Sequence, residues 1–186
     1  LTGDCTAVGW AWRLDDGRIA VDAHVWSPKT AIAAHERVAD GRIDNRVVLG
    51  FLDADLAVDG LAAEAFLEVD AGARVAEFVY DPRYLETVAA ILADSGLVVA
   101  DAWSNGELRS KAWQAWRDAI DAGELVHRGD PVLEAHVCAA KAKMTDFGWK
   151  VSKLSQRRKI DALVAMVMAF YRAKVAAAAA VWAEAW

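Results

Sequence analysis

The order of the predicted elements makes the chain an α/β protein, with a mixed β-sheet flanked by helices. Three observations carry that prediction. A pair of strand-like runs opens the chain, a strand–helix–strand pattern follows at 75–100, and helical periodicity dominates the second half. With 56% hydrophobic and 26% charged residues over 186 positions, the chain has enough apolar surface for one core and too much for disorder. We therefore expect one domain over 1–186.

The runs Cys5 to Arg13 and Arg18 to Trp26 read as β-strands, and Asp15-Asp16-Gly17 between them is a turn signal, which predicts an antiparallel hairpin. Residues 28–56 are irregular: Pro28, an Ala-rich piece, the Gly41 break and a short apolar run assign no element, so they stand as an unplaced insertion. Leu61, Ala65, Phe66 and Val69 recur at helical spacing before Gly72. Val75 to Tyr80 is a continuous apolar strand ended by Asp81-Pro82, Tyr84 to Ala93 is helical up to Gly96, and Leu97 to Ala100 is a second strand. That sequence is a βαβ unit and implies parallel pairing.

Leu108, Ala112, Ala115, Trp116 and Ala119 form one stripe of a helix over 107–122 that closes at Gly123. Asp130-Pro131 opens a short helix, with Asp130 as N-cap and Pro131 at the first helical position. Asp146-Phe147-Gly148 marks the tip of an auxiliary hairpin between Lys141 to Met144 and Trp149 to Val151. The final helix, from Lys159 to about Ala180, carries Ile160, Leu163, Val164, Val167, Met168 and Tyr171 on one stripe.

Two cysteines, Cys5 and Cys138, are too few for a disulfide scaffold, which predicts free thiols and a reducing compartment. No secretory signal pattern is present, and the apolar stretch Val175 to Ala183 is too short to span a bilayer, so a soluble cytoplasmic chain is expected. Nine tryptophans point to core and interface packing ahead of base stacking. Phosphate-loop, dinucleotide, serine-hydrolase and zinc-protease motifs are all missing.

Three aspartates stand where chemistry could use them. Asp81 ends an apolar strand, the position at which open α/β sheets place ligands, although a turn aspartate before proline reads the same way. Asp161 opens the last helix, where an acid also complements the helix dipole. Asp4 precedes the first strand and is equally a loop acid. Carboxylates brought from separate elements to one sheet edge bind hard divalent ions, and two such ions about 4 Å apart activate water and stabilise the leaving oxygen of a phosphodiester.

The net charge of −6 argues against a basic nucleic-acid binder until it is resolved along the chain. Between 141 and 159 lie seven bases (Lys141, Lys143, Lys150, Lys153, Arg157, Arg158, Lys159) and one acid, Asp146, a local +6. The other 14 bases and 26 acids give −12. This basic run is a solvated face or a phosphate-backbone contact, and Phe147 and Trp149 at the hairpin tip favour the contact.

The motifs Tyr80-Asp81-Pro82-Arg83, Gly96-Leu97, Gly123 to His127, Gly129 to Leu133 and Arg158 to Ala165 resemble the C-terminal nuclease domain of the large terminase subunit of tailed bacteriophages, as does Leu1 to Ala7. The resemblance runs through most of the chain in order. It implies an RNase H-like fold and a Mg²⁺- or Mn²⁺-dependent endonuclease, with two ions, that cuts concatemeric viral DNA during packaging. By resemblance, Asp81 matches the central metal-binding aspartate, Asp161 the one heading the last helix, and Asp4 a further acid of the first-strand motif. The family's leading aspartate falls a few positions before Leu1. An ATPase domain preceding this one, the small terminase subunit, the portal and double-stranded DNA are the implied partners, in the host cytoplasm and without a membrane. Two alternatives keep the fold: a catalytically incomplete DNA-gripping or docking module of the packaging motor, and another RNase H-like nuclease such as a junction resolvase.

Overall fold

The computed structural model describes residues 6–26, 76–94, 96, 98–101 and 103–183. The expected helix at 61–69, the 28–56 insertion and Asp4 lie outside them. Seven strands and four helices are present among the described residues: β1 (Thr6–Arg13), β2 (Ile19–Trp26), β3 (Phe78–Tyr80), α1 (Pro82–Asp94), β4 (Val99–Asp101), α2 (Gly106–Asp121), β5 (Leu125–Val126), α3 (Pro131–Cys138), β6 (Ala140–Thr145), β7 (Gly148–Lys153) and α4 (Asp161–Ala183).

The strands form three ladders. β1 and β2 pair antiparallel from Thr6↔Trp26 to Arg13↔Ile19, and the short β5 joins β2 in parallel. The turn between β1 and β2 uses Gly17 at φ 86°, the left-handed conformation that glycine adopts without strain. β3 and β4 pair in parallel, with Tyr80 opposite Asp101, and α1 makes the crossover that the βαβ pattern predicts. β6 and β7 form the auxiliary hairpin with Thr145 opposite Gly148. β5 has no counterpart in the sequence reading because two residues are too few to show a period.

The core lies between α4, the β1–β2 face and α2. Met166, Val167 and Phe170 on α4 and Val21 on β2 are fully buried, and Phe170 meets Trp116 edge to face at 5.3 Å. Burial of such a side chain stabilises the fold by about 1.5–3 kcal/mol. Trp103 and Trp113 pack at 6.1 Å, so three of the tryptophans serve the core. On α2 the buried face is Ala112, Trp113, Trp116 and Ala119; Trp113 takes a place that the expected stripe gave to Leu108. α4 lies directly on β1 because Gly9 has no side chain: a Cβ there would overlap the backbone of Ala165 and Met166. No helix among the described residues is long and apolar enough to cross a membrane.

Candidate active site

The parallel β3–β4 ladder ends with two acids side by side, Asp81 just after β3 and Asp101 as the last residue of β4. Asp81 is mostly buried, with 16% of its side chain exposed. Arg83 folds back on it: the Arg83 Nε donates to Asp81 Oδ1 at 2.9 Å, Nη2 donates to Oδ2, and the Arg83 backbone N–H donates to Oδ1 at 3.2 Å. Burial pushes the Asp81 pKa up, but the hydrogen bonds from Arg83 and the charges of Arg83 and Arg109 outweigh it and hold the carboxyl below its ordinary value. Asp101 follows the same balance. Desolvation raises it, bonds from the Ser104 side chain and the Trp103 and Ser104 backbone lower it further, and the neighbouring Asp81 charge opposes them.

Asp101 also links the strand to α2. Its Oδ1 accepts from Trp103 N–H at 3.1 Å and Ser104 N–H at 3.2 Å, and Asn105 then caps α2 by accepting from Glu107 N–H at 2.8 Å. Arg109, one turn into α2, is the residue of that helix whose charge reaches Asp81.

The hairpin tip is seated on the same stretch of α2. Ser110 Oγ donates to the Trp149 carbonyl at 3.0 Å, and Trp149 Nε1 donates to Gln114 Oε1 at 2.7 Å. Gly148 is at φ 102°, and a Cβ there would come 2.5 Å from Ser110 Oγ, so both backbone and space demand glycine. Phe147, 69% exposed, projects beside Gly106. The hairpin is two-faced: Ala140, Trp149 and Val151 pack on the core, and the alternation of the strands puts Lys141, Lys143 and Lys150 together on the other face. Lys143 stands directly opposite Lys150. Arg157, Arg158 and Lys159 follow in the connection to α4, and Lys153 lies half-buried on the inner face.

Asp161 is the first residue of α4 and half-buried. The start of this helix is fixed from α3, where the buried His136 uses Nδ1 to accept the Ala162 N–H at 2.9 Å. α3 itself begins as the sequence predicts, with Asp130 as N-cap and Pro131 in its first turn. Asp161 and Asp81 thus come from elements that share no ladder. Farther along, Arg172 on α4 donates from Nε and Nη2 to the two carboxylate oxygens of Glu77, each at 2.7 Å, and so ties α4 to the base of β3.

Oxygen donors, with Asp81 held ionised, suit a hard divalent cation such as Mg²⁺ or Mn²⁺. The softer donors are placed otherwise: His136 Nδ1 is engaged by α4, and Cys138 is a free, exposed thiol. Among the described residues no group of three or more His, Cys, Asp and Glu side chains is gathered tightly enough to hold a metal ion. Two clefts, of about 370 and 340 Å³, lie elsewhere, around Arg18 and Glu124 and around Trp116 and Leu133, and neither is lined by Asp81 or Asp161.

Sequence reasoning missed Asp101, Arg83, Arg109, His136 and the Glu77–Arg172 pair. Asp101 was within reach of the rule that selected Asp81, since it too ends a parallel strand. Arg83 is local as well, two residues after Asp81, whereas Arg109, His136 and the Glu77–Arg172 pair act through contacts between distant elements.

The chain is thus an α/β domain with aspartates at the carboxyl ends of parallel strands and a basic hairpin docked on α2. The family model for the terminase large subunit, endonuclease domain, matches residues 1–177, and the chain belongs to that family. Among solved structures, the crystal structure of the HK97 bacteriophage large terminase is similar, with TM-score 0.76 and 17% identity, over 90% of this chain and 36% of that one. At that identity the likeness shows a shared RNase H-like fold. The chain therefore corresponds to about a third of the length of the HK97 protein. No curated protein sequence matches it.

Proposed function

We propose that this domain is the divalent-metal-dependent endonuclease of a terminase large subunit and cuts concatemeric double-stranded DNA during genome packaging. The observation that carries the reading is Asp81: an aspartate at the carboxyl end of a parallel strand, mostly buried yet held ionised by Arg83 and Arg109, beside a docked basic hairpin. Asp81 and Asp161 would hold Mg²⁺ or Mn²⁺, two ions in all, with Asp4 as auxiliary ligand. When bound, such ions polarise the phosphodiester and activate the attacking water.

The chain's own residues position and select. Arg83 and the α2 N-terminal region keep Asp81 charged and oriented, and His136 fixes the helix start that carries Asp161. Lys141, Lys143 and Lys150 on the outer hairpin face, with Lys153, Arg157, Arg158 and Lys159, hold the phosphate backbone. Like charges directly opposite each other destabilise a hairpin, so the Lys143–Lys150 pair supports a face built for an anionic partner. The ATPase domain of the same polypeptide, the small terminase subunit and the portal would be its partners, in the host cytoplasm.

Nicking of supercoiled plasmid in Mn²⁺ tests the assignment. Asp81→Ala and Asp161→Ala are expected to reduce the rate at least about a hundredfold, in line with loss of metal-assisted chemistry. Cutting by both variants at the parent rate rules out the ligand assignment.

A further inference from the structure

We infer that the Glu77–Arg172 ion pair is the positioning device of the candidate site, a clamp that fixes the β3–β4 ladder against α4 and so sets Asp81 relative to Asp161. The inference rests on the metal-site reading above and adds to it the residues that hold its two halves in register.

A device of this kind is needed because the acids stand on separate frameworks. Among the described residues, β3 and β4 pair only with each other, and no ladder joins them to β1–β2–β5. Among these residues, side-chain contacts set where β3 lies along α4. Apolar packing through Val79 draws the two together but is non-directional. A bidentate guanidinium–carboxylate pair is directional: two parallel N–H···O bonds fix both distance and orientation. With 35% of Arg172 and 21% of Glu77 exposed, the pair is also screened less than a fully exposed one.

The spacing connects this clamp to the acids. Strand alternation puts Glu77, Val79 and Asp81 on one face of β3. Val79 packs on the core cluster, whose buried α4 members, Leu163, Met166, Val167, Met168 and Phe170, all precede Arg172. With Glu77 held at Arg172 and Val79 on that cluster, the clamp would aim β3 from Arg172 toward the start of α4. Eleven residues separate Asp161 from Arg172, within about 20° of three full turns, so the two lie on one stripe of the helix about 16 Å apart. Four extended residues carry the chain about 13 Å from Glu77 to Asp81. Anchored at one end by the ion pair, the strand and the helix bring their acids to the same end at the other. Glu77 and Arg172 are positioning residues, too distant to touch a metal ion or the reacting phosphate.

The test uses Glu77→Gln, Arg172→Lys and the charge-swapped double variant Glu77→Arg/Arg172→Glu, with thermal melting and Mn²⁺ affinity by calorimetry as separate readouts. Arg172→Lys keeps the charge and removes the fork, so it perturbs folding least. The single variants are expected to remain folded and to bind Mn²⁺ about tenfold or more weakly, the scale of outer-shell losses in metal sites, and the swapped pair is expected to recover most of that affinity. Folded single variants that bind Mn²⁺ as tightly as the parent overturn the clamp and leave the metal site standing. Equal Mn²⁺ binding by the parent and Asp81→Asn overturns the metal reading, and the clamp with it.

Discussion

At the carboxyl ends of β3 and β4 two acids stand side by side, Asp81 mostly buried and Asp101 exposed, each oriented by hydrogen bonds from Arg83 or from the turn into α2. On the β6–β7 hairpin, three lysines share an outer face, two of them directly opposite each other, while Ala140, Trp149 and Val151 of the inner face are seated on the core. In the first region the fold supplies compensating charge and uses it for orientation. In the second it supplies a rigid back and leaves like charges together. On the proposed reading the difference separates a region for chemistry from one for gripping: a group that must be held in one geometry is satisfied from within, whereas a surface that meets a polyanion keeps its charge for the partner.

The comparison can be attacked at either region. The largest expected effect comes from Gly9→Ala, which forces α4 off β1 and so strikes the helix that carries Asp161. A loss of about 3 kcal/mol is expected in chemical denaturation, the upper part of the usual overpacking range, together with weakened Mn²⁺ binding. Next is Lys143→Glu with Lys150→Glu. Here DNA affinity is expected to fall about tenfold and the salt dependence of binding to become shallower by about two, near 0.9 for each phosphate that is no longer neutralised, with the fold unchanged.

Gly148→Ala should cost about 1–3 kcal/mol, since it strains a left-handed backbone and pushes the tip against Ser110. Its DNA affinity separates a seated hairpin from a loose one: if gripping needs the seat, affinity falls along with stability. The smallest effect is electrostatic. Because the Asp81 pKa is depressed in the folded protein, its pairing contributes stability that is present above the unfolded value of about 3.9 and is lost as pH falls through the lower folded value. Arg83→Ala removes that pairing, so the acid limb of its stability profile should be shallower than the parent's between roughly pH 4 and the folded value; identical acid limbs contradict the pairing.

The parts of this arrangement that are legible in the sequence are those written locally. The β1–β2 hairpin follows from its turn residues, the β3–α1–β4 unit from an apolar run broken by Asp81-Pro82, and the α3 cap from Asp130-Pro131. The basic run is visible as a charge count, but its division into an outer lysine face and an inner packing face depends on the register Lys143↔Lys150, which only the folded hairpin displays. His136 reads as an isolated histidine, and its bond to Ala162 spans 26 residues. Glu77 and Arg172 are 95 positions apart and belong to no motif, so no local period joins them. Asp161 stands out through its place at the head of a helix, and Asp101 is equally local: it follows the apolar run Leu97 to Ala100 as Asp81 follows Val75 to Tyr80, so the rule that selects Asp81 selects it too.

The central claim, that the acid end does chemistry while the hairpin grips, is tested most directly by measuring plasmid cleavage in Mn²⁺ as a function of DNA concentration for Asp81→Asn and for Lys143→Glu/Lys150→Glu side by side. Asp81→Asn is predicted to bind DNA with near-parent affinity and not to cut, and the lysine variant to need more DNA but to reach near-parent cleavage at saturation. Cleavage by Asp81→Asn at the parent rate, or a lysine variant with unchanged DNA affinity, would contradict it.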